Sequence, residues 1–249
     1  MNVLLIDFGS TYTKITAVDL EKEEVLGTAK GFTTVETDIT EGLKAAQEEL
    51  FRQTGPLSFA KTLACSSAAG GLKMIAIGLV PELTAEAAKR AALGAGAKVL
   101  KVYCHELSSY ELDEIQSLEP DIILLAGGTD GGNKKVLLHN AEILTGLKAD
   151  TPIVVAGNKS IAPQVVSILE TKFSKVVPTE NVMPKLDQLH IDPARKAIRD
   201  IFFERIVAAK GLDKANAMVD QLVMPTPAAV LRAAELLSVG TAKETGVGD

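Results

Sequence analysis

The sequence predicts an α/β protein in which an antiparallel meander is followed by parallel strand–helix repeats and then by helices. Three apolar-patterned stretches lie at 3–6, 13–20 and 25–34, which is typical of consecutive antiparallel strands. From residue 74 to residue 177, strand-like and helix-like stretches alternate, which favours a parallel sheet covered by helices. A hydrophobic content of 47% with 4% aromatic residues and no Trp fits an aliphatic interior of this class.

Residues 1–73 are predicted to form the first unit. After the three meander strands, a helix is expected from Thr40 to the Gly55-Pro56 pair, and a fourth strand at 60–66 leads into a small loop at 67–71. The apolar stripe of that helix comprises Leu43, Ala46, Leu50 and Phe51. Three strands, a helix and a further strand are the opening of a ribonuclease-H-like domain, so we expect that fold here.

Residues 74–184 are predicted to form a Rossmann-like unit with a parallel sheet. The strands are expected at 74–80, 98–103, 121–126, 153–156 and 175–177. Capping residues precede the intervening helices: Ser108 and Glu111 make a capping box, and Asn133 and Ser160 begin the two later helices.

Residues 185–240 are predicted to be helical, and 241–249 are predicted to be a polar linker or tail. The Asp192-Pro193 pair begins a long helix that Gly211 ends, because Pro is favoured at the first helical position. A second helix is expected at 213–222. The run Pro225-Thr226-Pro227 then interrupts the chain before a third helix.

Charge and residue usage exclude several functional classes. The net charge of −6 without a basic block argues against nucleic acid and anionic membrane as partners. The N-terminus has no signal-peptide pattern and no apolar run reaches the ~18 residues of a membrane span, so we expect a cytoplasmic location. Cys65 and Cys104 lack metal-ligand spacing and are expected to be small buried hydrophobes, and the three histidines are scattered.

The most informative motif runs from Asp7 to Lys14. An apolar strand ends at Asp7 and opens into a turn of small and hydroxyl residues before a returning strand. Backbone N–H groups of such a turn can bind an anion, and a carboxylate at its start can hold a hydrated Mg²⁺. The pattern therefore predicts a nucleotide phosphate site; the alternative is a glycine-bearing hairpin that Asp7 merely caps.

A second glycine-rich loop follows the apolar strand at 121–126. It comprises Gly127, Gly128, Thr129, Asp130, Gly131 and Gly132. Ligands bind at the carboxyl ends of strands in parallel sheets, so this loop is a candidate second ligand site in which Asp130 could hold a ribose hydroxyl or a cation. The alternative is an ordinary strand-to-helix turn. Lys159, on the loop after the next strand, could add positive charge to the ligand site or could simply be a solvated side chain.

The first motif resembles the first phosphate loop of the actin, Hsp70 and sugar kinase superfamily. Five segments over the whole chain further resemble the glutamate mutase (methylaspartate mutase) accessory protein family. They are residues 7–14 (DFGSTYTK), 70–74 (GGLKM), 125–133 (LAGGTDGGN), 180–184 (ENVMP) and 224–229 (MPTPAA).

The resemblance implies an actin-like ATPase that uses ATP/ADP and Mg²⁺ and serves an adenosylcobalamin-dependent mutase subunit by promoting release of damaged cobalamin. It implies that Asp7 holds the Mg²⁺ shell through water, and that Lys14 neutralises charge on the transferred phosphoryl group. The amides around Gly9, Ser10, Thr11 and Thr13 would bind the β- and γ-phosphates. No catalytic base is named by the motif.

One departure concerns the second phosphate loop of that family, a strand that ends in Asp-x-Gly-Gly. No predicted strand here ends in this way, so the chain is expected to be an N-terminal fragment that supplies half of a nucleotide site and is inactive in ATP turnover alone. Two other functions stay open from the sequence. One is a small-molecule kinase of the same superfamily, and the other is a non-enzymatic docking module for a mutase subunit.

Overall fold

The computed structural model describes residues 1–33, 39–66, 72–93, 95–209 and 219–240. It divides the chain into two compact units. Unit 1 consists of Met1–Gly70 together with Phe203–Asp249, and unit 2 consists of Gly71–Phe202. Unit 2 is therefore an insertion in the sequence of unit 1.

Unit 1 contains a five-stranded mixed sheet. Its strands are β1 (Asn2–Phe8), β2 (Tyr12–Asp19), β3 (Glu24–Phe32), β4 (Lys61–Ser66) and β10 (Gln221–Pro225), in the order β10-β4-β1-β2-β3. The first three strands form an antiparallel meander, whereas β4 pairs in parallel with β1 and with β10. This order and these directions confirm the predicted ribonuclease-H-like unit.

The core of unit 1 lies between the sheet and helix α1 (Ile39–Thr54). Alternation along β1 and β2 places every second side chain on the face that α1 covers. The fully or almost fully buried residues of the sheet and the helix are Leu4, Ile6, Phe8, Ile15, Leu43, Ala46 and Leu50. The opposite face carries Asp7 and Lys14, which are register partners, and Leu5, which is 41% exposed.

Helix α1 approaches β3 closely because two glycines lie at the contact. A Cβ on Gly42 would lie 2.2 Å from the carbonyl oxygen of Phe32, and one on Gly31 would lie 2.3 Å from the carbonyl oxygen of Gly42. Both obstacles are backbone atoms, so neither can move aside as a flexible side chain would.

We expect Gly42→Ala to destabilise unit 1 by about 2 kcal/mol, because the methyl group forces α1 away from β3. Helix propensity alone predicts the opposite sign, a gain of about 1 kcal/mol for alanine over glycine. Urea unfolding followed by circular dichroism measures the difference, with the exposed Lys44→Ala in the same helix as control. A Gly42→Ala protein as stable as the wild type would show that the close contact is absent.

Unit 2 contains a five-stranded parallel sheet in the order β6-β5-β7-β8-β9. Its elements follow in the chain as β5 (Leu72–Gly78), α2 (Pro81–Ala92), β6 (Ala97–Cys104), α3 (Ser109–Leu118), β7 (Ile122–Leu125), α4 (Lys135–Leu144), β8 (Ile153–Val155), α5 (Ala162–Glu170) and β9 (Val176–Pro178). The long helix α6 (Asp192–Ala209) comes next. The doubly wound sheet confirms the predicted Rossmann-like architecture, and the strand order reverses between β5 and β7.

Local sequence signals predicted several of these elements to within a few residues. The predicted capping box is present: the Ser108 hydroxyl accepts the Glu111 amide, and the Glu111 carboxylate accepts the Ser108 amide. Helix α2 begins at Pro81 rather than at the predicted Thr84, because Pro is accommodated in the first turn. Strand β5 begins at Leu72, two residues before its predicted start.

The prediction of an all-helical segment over 185–240 is wrong. Gln221–Pro225 form β10, in which Gln221 pairs with Leu63 and Leu222 pairs with Ala64. The preceding 213–218, predicted as helix, lie outside the described residues, as do the loop 67–71 and the tail 241–249. The division of the chain also differs from the predicted boundaries at 73 and 184, because β10 pairs with β4 and so belongs to unit 1. Thr226–Val239 form the last helix, α7.

Candidate functional site

The turn between β1 and β2 is tight and contains backbone amides that donate no hydrogen bond within the described part of the chain. The Gly9 amide donates to the carbonyl oxygens of Asp7 and Tyr12, both at 3.1 Å. A Cβ on Gly9 would lie 2.7 Å from the Tyr12 carbonyl oxygen, so only glycine fits. The amides of Ser10 and Thr11, which are exposed, donate no hydrogen bond to any described residue. Such unpaired amides are suited to bind an anion.

Three side chains form a row across neighbouring strands beside this turn. Asp7 lies opposite Lys14 on β2 and opposite Cys65 on β4. The Lys14 side chain is exposed, and its ammonium has no carboxylate within ion-pair distance among the described residues. Lys14 therefore offers a positive charge beside the turn. Thr13 is buried on the other face, where its hydroxyl lies 3.1 Å from that of Thr33, so only its backbone can serve the turn.

Asp7 is held by two side chains that sequence reasoning did not assign to the site. The Thr226 hydroxyl donates to Asp7 Oδ1 at 2.7 Å, and the Cys65 thiol lies 3.6 Å from the same oxygen. Oδ2 accepts no hydrogen bond from the described residues. The run Pro225-Thr226-Pro227 marked a helix start, but nothing local indicated that Thr226 would contact Asp7.

Cys65 is half-buried rather than fully buried as predicted. Burial raises the pKa of the Cys65 thiol, contact with the Thr226 hydroxyl opposes that rise, and the Asp7 carboxylate adds to it. Cys65 is therefore a neutral thiol at neutral pH. Its place beside Asp7 makes it a useful reporter of anything that binds there.

The residues around Asp7 fit a hydrated cation better than a dehydrated one. In the described part of the chain, no group of three or more His, Cys, Asp or Glu side chains could hold a metal ion. Mg²⁺ commonly keeps most of its waters and contacts a protein through one or two carboxylates. Asp7 Oδ2 could accept hydrogen bonds from such waters. The donor set is thus compatible with Mg²⁺ brought by a nucleotide.

An open cavity of about 400 Å³ lies on the same face of the sheet. Its lining includes the charged residues Asp7 and Lys14 and apolar residues such as Leu5, Leu63 and Met224. Pockets of this size with a few convergent polar groups are typical of small-molecule sites.

The predicted glycine-rich loop of unit 2 follows β7 at the carboxyl edge of its sheet. The fully buried Asn158 fixes it: Oδ1 accepts the amides of Gly131 and Ser160 at 3.0 Å, and Nδ2 donates to the carbonyl oxygens of Gly132 and Asn133 at 3.2 Å. Gly128 has a φ of +72°, a conformation that favours glycine. The loop is thus a rigid turn with internal partners.

Asp130 is also bound within the loop. Its Oδ1 accepts the Asn181 side-chain amide at 2.9 Å and the Lys159 backbone amide at 3.1 Å, and the Lys159 ammonium lies 3.5 Å from Oδ2. Burial alone raises the pKa of Asp130, but the hydrogen bonds from Asn181 and Lys159 and the Lys159 charge outweigh it and hold the pKa below its ordinary value. A ligand at Asp130 would have to compete with these contacts.

Asp130 should make unit 2 sensitive to acid. A carboxylate with a lowered folded pKa stabilises the fold above its unfolded pKa of about 3.9, and this contribution is lost as the pH falls towards the folded value. Between about pH 6 and about pH 3, urea midpoints of Asp130→Asn should fall less than those of the wild type. The exposed Asp113→Asn on α3 is the control, and equal slopes in all three proteins would contradict the expectation.

The crevice where the strand order of unit 2 reverses is small. Between the loops after β5 and β7, a cavity of about 20 Å³ is lined by Leu79, Val80, Gly127, Gly128 and Asn181, among others. That volume holds about one water molecule. Thus Asp7, Gly9, Ser10, Thr11, Thr13 and Lys14 come together in one turn of unit 1, whereas residues 127–132 form a separate loop of unit 2.

Comparison with known proteins agrees with the sequence motifs. A family model described as MutL protein matches residues 3–249. The chain belongs to the MutL protein family. Protein MutL of Clostridium tetanomorphum is 58% identical over 248 residues, which is 99% of this chain. The chain spans 54% of the length of that relative. The resemblance to the glutamate mutase accessory family is thereby confirmed.

Solved structures show distant likenesses to this chain. A nucleotide-free acetone carboxylase has a TM-score of 0.40 and 17% identity, and the match covers 82% of this chain and 34% of that one. An activator of 2-hydroxyisocaproyl-CoA dehydratase from Clostridium difficile, solved with bound ADPNP, has a TM-score of 0.24 and 12% identity over 83% of this chain and 98% of that one. The fold assignment rests on strand order and direction instead. Within the described residues, no helix is long and apolar enough to cross a membrane.

Proposed function

We propose that unit 1 binds the phosphates of a Mg²⁺-bound adenine nucleotide, ATP or ADP, at the turn between β1 and β2. The observation that carries this proposal is the row of Asp7 and Lys14 beside the amides of Ser10 and Thr11, which donate no hydrogen bond to any described residue. These groups supply a carboxylate for a hydrated cation, a mobile positive charge and backbone donors for phosphate oxygens. Together they match the chemistry of a nucleotide's phosphate groups and their Mg²⁺ ion.

Each residue has a distinct proposed role. Asp7 Oδ2 accepts hydrogen bonds from the waters of Mg²⁺, and Gly9 permits the tight turn. The amides of Ser10, Thr11 and Thr13 approach the β- and γ-phosphates. Lys14, which is exposed and unpaired among the described residues, neutralises charge that develops on the transferred phosphoryl group. Bound Mg²⁺ adds neutralisation of the phosphate oxygens.

The intact protein is proposed to be a chaperone-like ATPase. Membership of the MutL family and the resemblance to glutamate mutase accessory proteins support a role beside an adenosylcobalamin-dependent mutase subunit. In this role, nucleotide state controls the grip on the mutase and the release of damaged cobalamin. A cytoplasmic location is proposed with it.

The turn provides one part of the nucleotide site. No strand in the described part of the chain ends in Asp-x-Gly-Gly, the second phosphate loop expected of this superfamily. Affinity of this chain for Mg·ADP is therefore expected to be weak, and ATP turnover by it is not proposed. Isothermal titration with Mg·ADP and Mg·ATP tests the proposal on this chain and on the longer relative. Failure of the longer protein to bind either nucleotide would refute it.

The kinase alternative fits the cavity beside the turn less well. A kinase needs a carboxylate or other base near the substrate hydroxyl. Asp7 is the only carboxylate among the described residues that line the cavity, and Thr226 already occupies one of its oxygens. Sugar or acid phosphorylation by the longer protein would favour the kinase instead. A docking module that does not use nucleotide would show no binding in the titrations with Mg·ADP and Mg·ATP, so the same experiment tests that alternative.

A further inference from the structure

Helix α7 begins at the residue that holds Asp7. Strand β10 runs parallel to β4, with Met224 opposite Cys65 and Pro225 opposite Ser66, and Thr226 is the first residue of the helix. Pro225 has φ −60° and ψ 144°, and its ring restricts the backbone at the entry to the helix. The position of Thr226 is therefore fixed by both the strand end and the helix start.

The hydrogen bond from Thr226 to Asp7 is short and direct. At 2.7 Å it lies in the range of hydroxyl donors to a charged carboxylate. The hydroxyl has one proton, so its 3.6 Å contact with the Cys65 sulfur is secondary. Both Thr226 and Cys65 act on Oδ1, which turns the carboxylate so that Oδ2 is left for another partner.

We infer that Thr226 is a positioning residue that orients Asp7 for the hydrated Mg²⁺ and thereby links α7 to the nucleotide site. The inference rests on the proposed function, and it adds a means of regulation. If α7 shifts, the Thr226 hydroxyl leaves Oδ1 and the carboxylate loses its fixed direction. If Mg·nucleotide binds, the ordered carboxylate in turn holds the start of α7.

Helix α7 is largely exposed beyond its first turn within the described part of the chain, so few packing contacts oppose a shift of the helix. None of its residues is buried. Its large apolar side chains are exposed by 41% to 74%: Val230, Leu231, Leu236, Leu237 and Val239. Among the described elements its main contacts are with β10 and β4. Among the described residues, the hydrogen bond from Thr226 is the one that joins α7 to the Asp7 carboxylate. Coupling between two sites is reciprocal, so nucleotide and α7 must affect each other equally.

The test compares Thr226→Val with Thr226→Ser by titration of Mg·ADP and of ADP in EDTA. Thr226→Val should weaken Mg·ADP binding by about 10-fold or more, because groups that orient a metal ligand typically contribute 10- to 100-fold to affinity. Thr226→Ser keeps the hydroxyl and should restore binding to near the wild-type value. Binding of ADP in EDTA should not distinguish Val from Ser. Thr28→Val, an exposed threonine of β3, is the matched control.

Amide exchange supplies the readout in the other direction. Saturating Mg·ADP should slow exchange in the first turn of α7 in the wild type and in Thr226→Ser, but not in Thr226→Val. If Thr226→Val does not fold, Thr226→Ala also removes the hydroxyl and can be compared with Thr226→Ser in its place.

The possible outcomes separate the inference from the proposed function. Unchanged Mg·ADP binding in Thr226→Val, alongside a loss in Asp7→Asn, overturns the positioning role alone. Unchanged binding in Asp7→Asn overturns the proposed site, and the positioning role falls with it. Equal losses in the Val and Ser variants would show a packing effect of this position and would also overturn the role of the hydroxyl.

Discussion

Replacement of Asp7 by alanine should weaken Mg·ADP binding about 10- to 100-fold, the range found for groups that hold a metal's outer shell. Asp7 is the only carboxylate beside the turn between β1 and β2, among the described residues that line its cavity. Its loss leaves Lys14 and the free amides to hold the phosphates without the hydrated cation. ADP binding in EDTA should therefore change much less than Mg·ADP binding. Isothermal titration should also be run on the longer relative, where we expect the affinity for Mg·ADP to be higher and a loss of affinity to be measurable over a wider range.

Two further variants sharpen the Asp7 experiment. Asp7→Asn keeps the shape of the side chain and removes the charge, so it should behave like alanine towards Mg·ADP. Asp113→Asn, on an exposed position of α3 in unit 2, removes one negative charge elsewhere and should bind like the wild type. Wild-type affinity of Asp7→Asn for Mg·ADP would show that the carboxylate does not face the cation.

Asn158→Ala should destabilise unit 2 by about 3 kcal/mol, because it removes four hydrogen bonds between a buried side chain and the backbone of the 127–133 loop and of Ser160. The side chain is fully buried and makes four hydrogen bonds to loop or neighbouring backbone, with the amides of Gly131 and Ser160 and the carbonyls of Gly132 and Asn133. Each intramolecular hydrogen bond contributes about 0.5–1.5 kcal/mol net, and water can partly replace those made by the loop backbone, because its bonded residues are exposed. Urea unfolding followed by circular dichroism measures the loss.

Asn133→Ala is the matched control for the loop. Its side-chain oxygen accepts one exposed hydrogen bond, from the Val136 amide at 3.2 Å at the start of α4. Loss of a single cap of this kind costs about 1 kcal/mol. If Asn158→Ala costs no more than Asn133→Ala, the loop is not held as described and is free to rearrange around a ligand.

The architecture was predictable where the signals are local. Strand alternation over β1 to β3 needs only neighbouring residues, and so does the capping box of Ser108 and Glu111. The turn of Asp7 to Lys14 was also correctly placed, because β1 and β2 pair through a short connection. In these cases sequence neighbours are also spatial neighbours, so periodicity and turn residues were sufficient.

Strand β10 and the role of Thr226 could not be predicted in this way. The whole sequence of unit 2 lies between β4 and its partner β10, and Thr226 is 219 residues from Asp7 along the chain. A short apolar run such as 221–225 is equally compatible with a helix end, and only its distant partner decides between them. The same holds for Asp130, whose partner Asn181 lies 51 residues further on.

The two free cysteines allow one direct measurement of the proposed site. Cys65 lies 3.6 Å from Asp7, whereas Cys104 ends β6 in unit 2, and both are half-buried with thiol pKa values raised by burial. The rate of iodoacetamide labelling of each is read by peptide mass spectrometry, with and without saturating Mg·ADP. Mg·ADP bound at Asp7 should slow labelling of Cys65 severalfold and leave Cys104 unchanged. Equal Cys65 rates with and without bound Mg·ADP would contradict a nucleotide site at this turn.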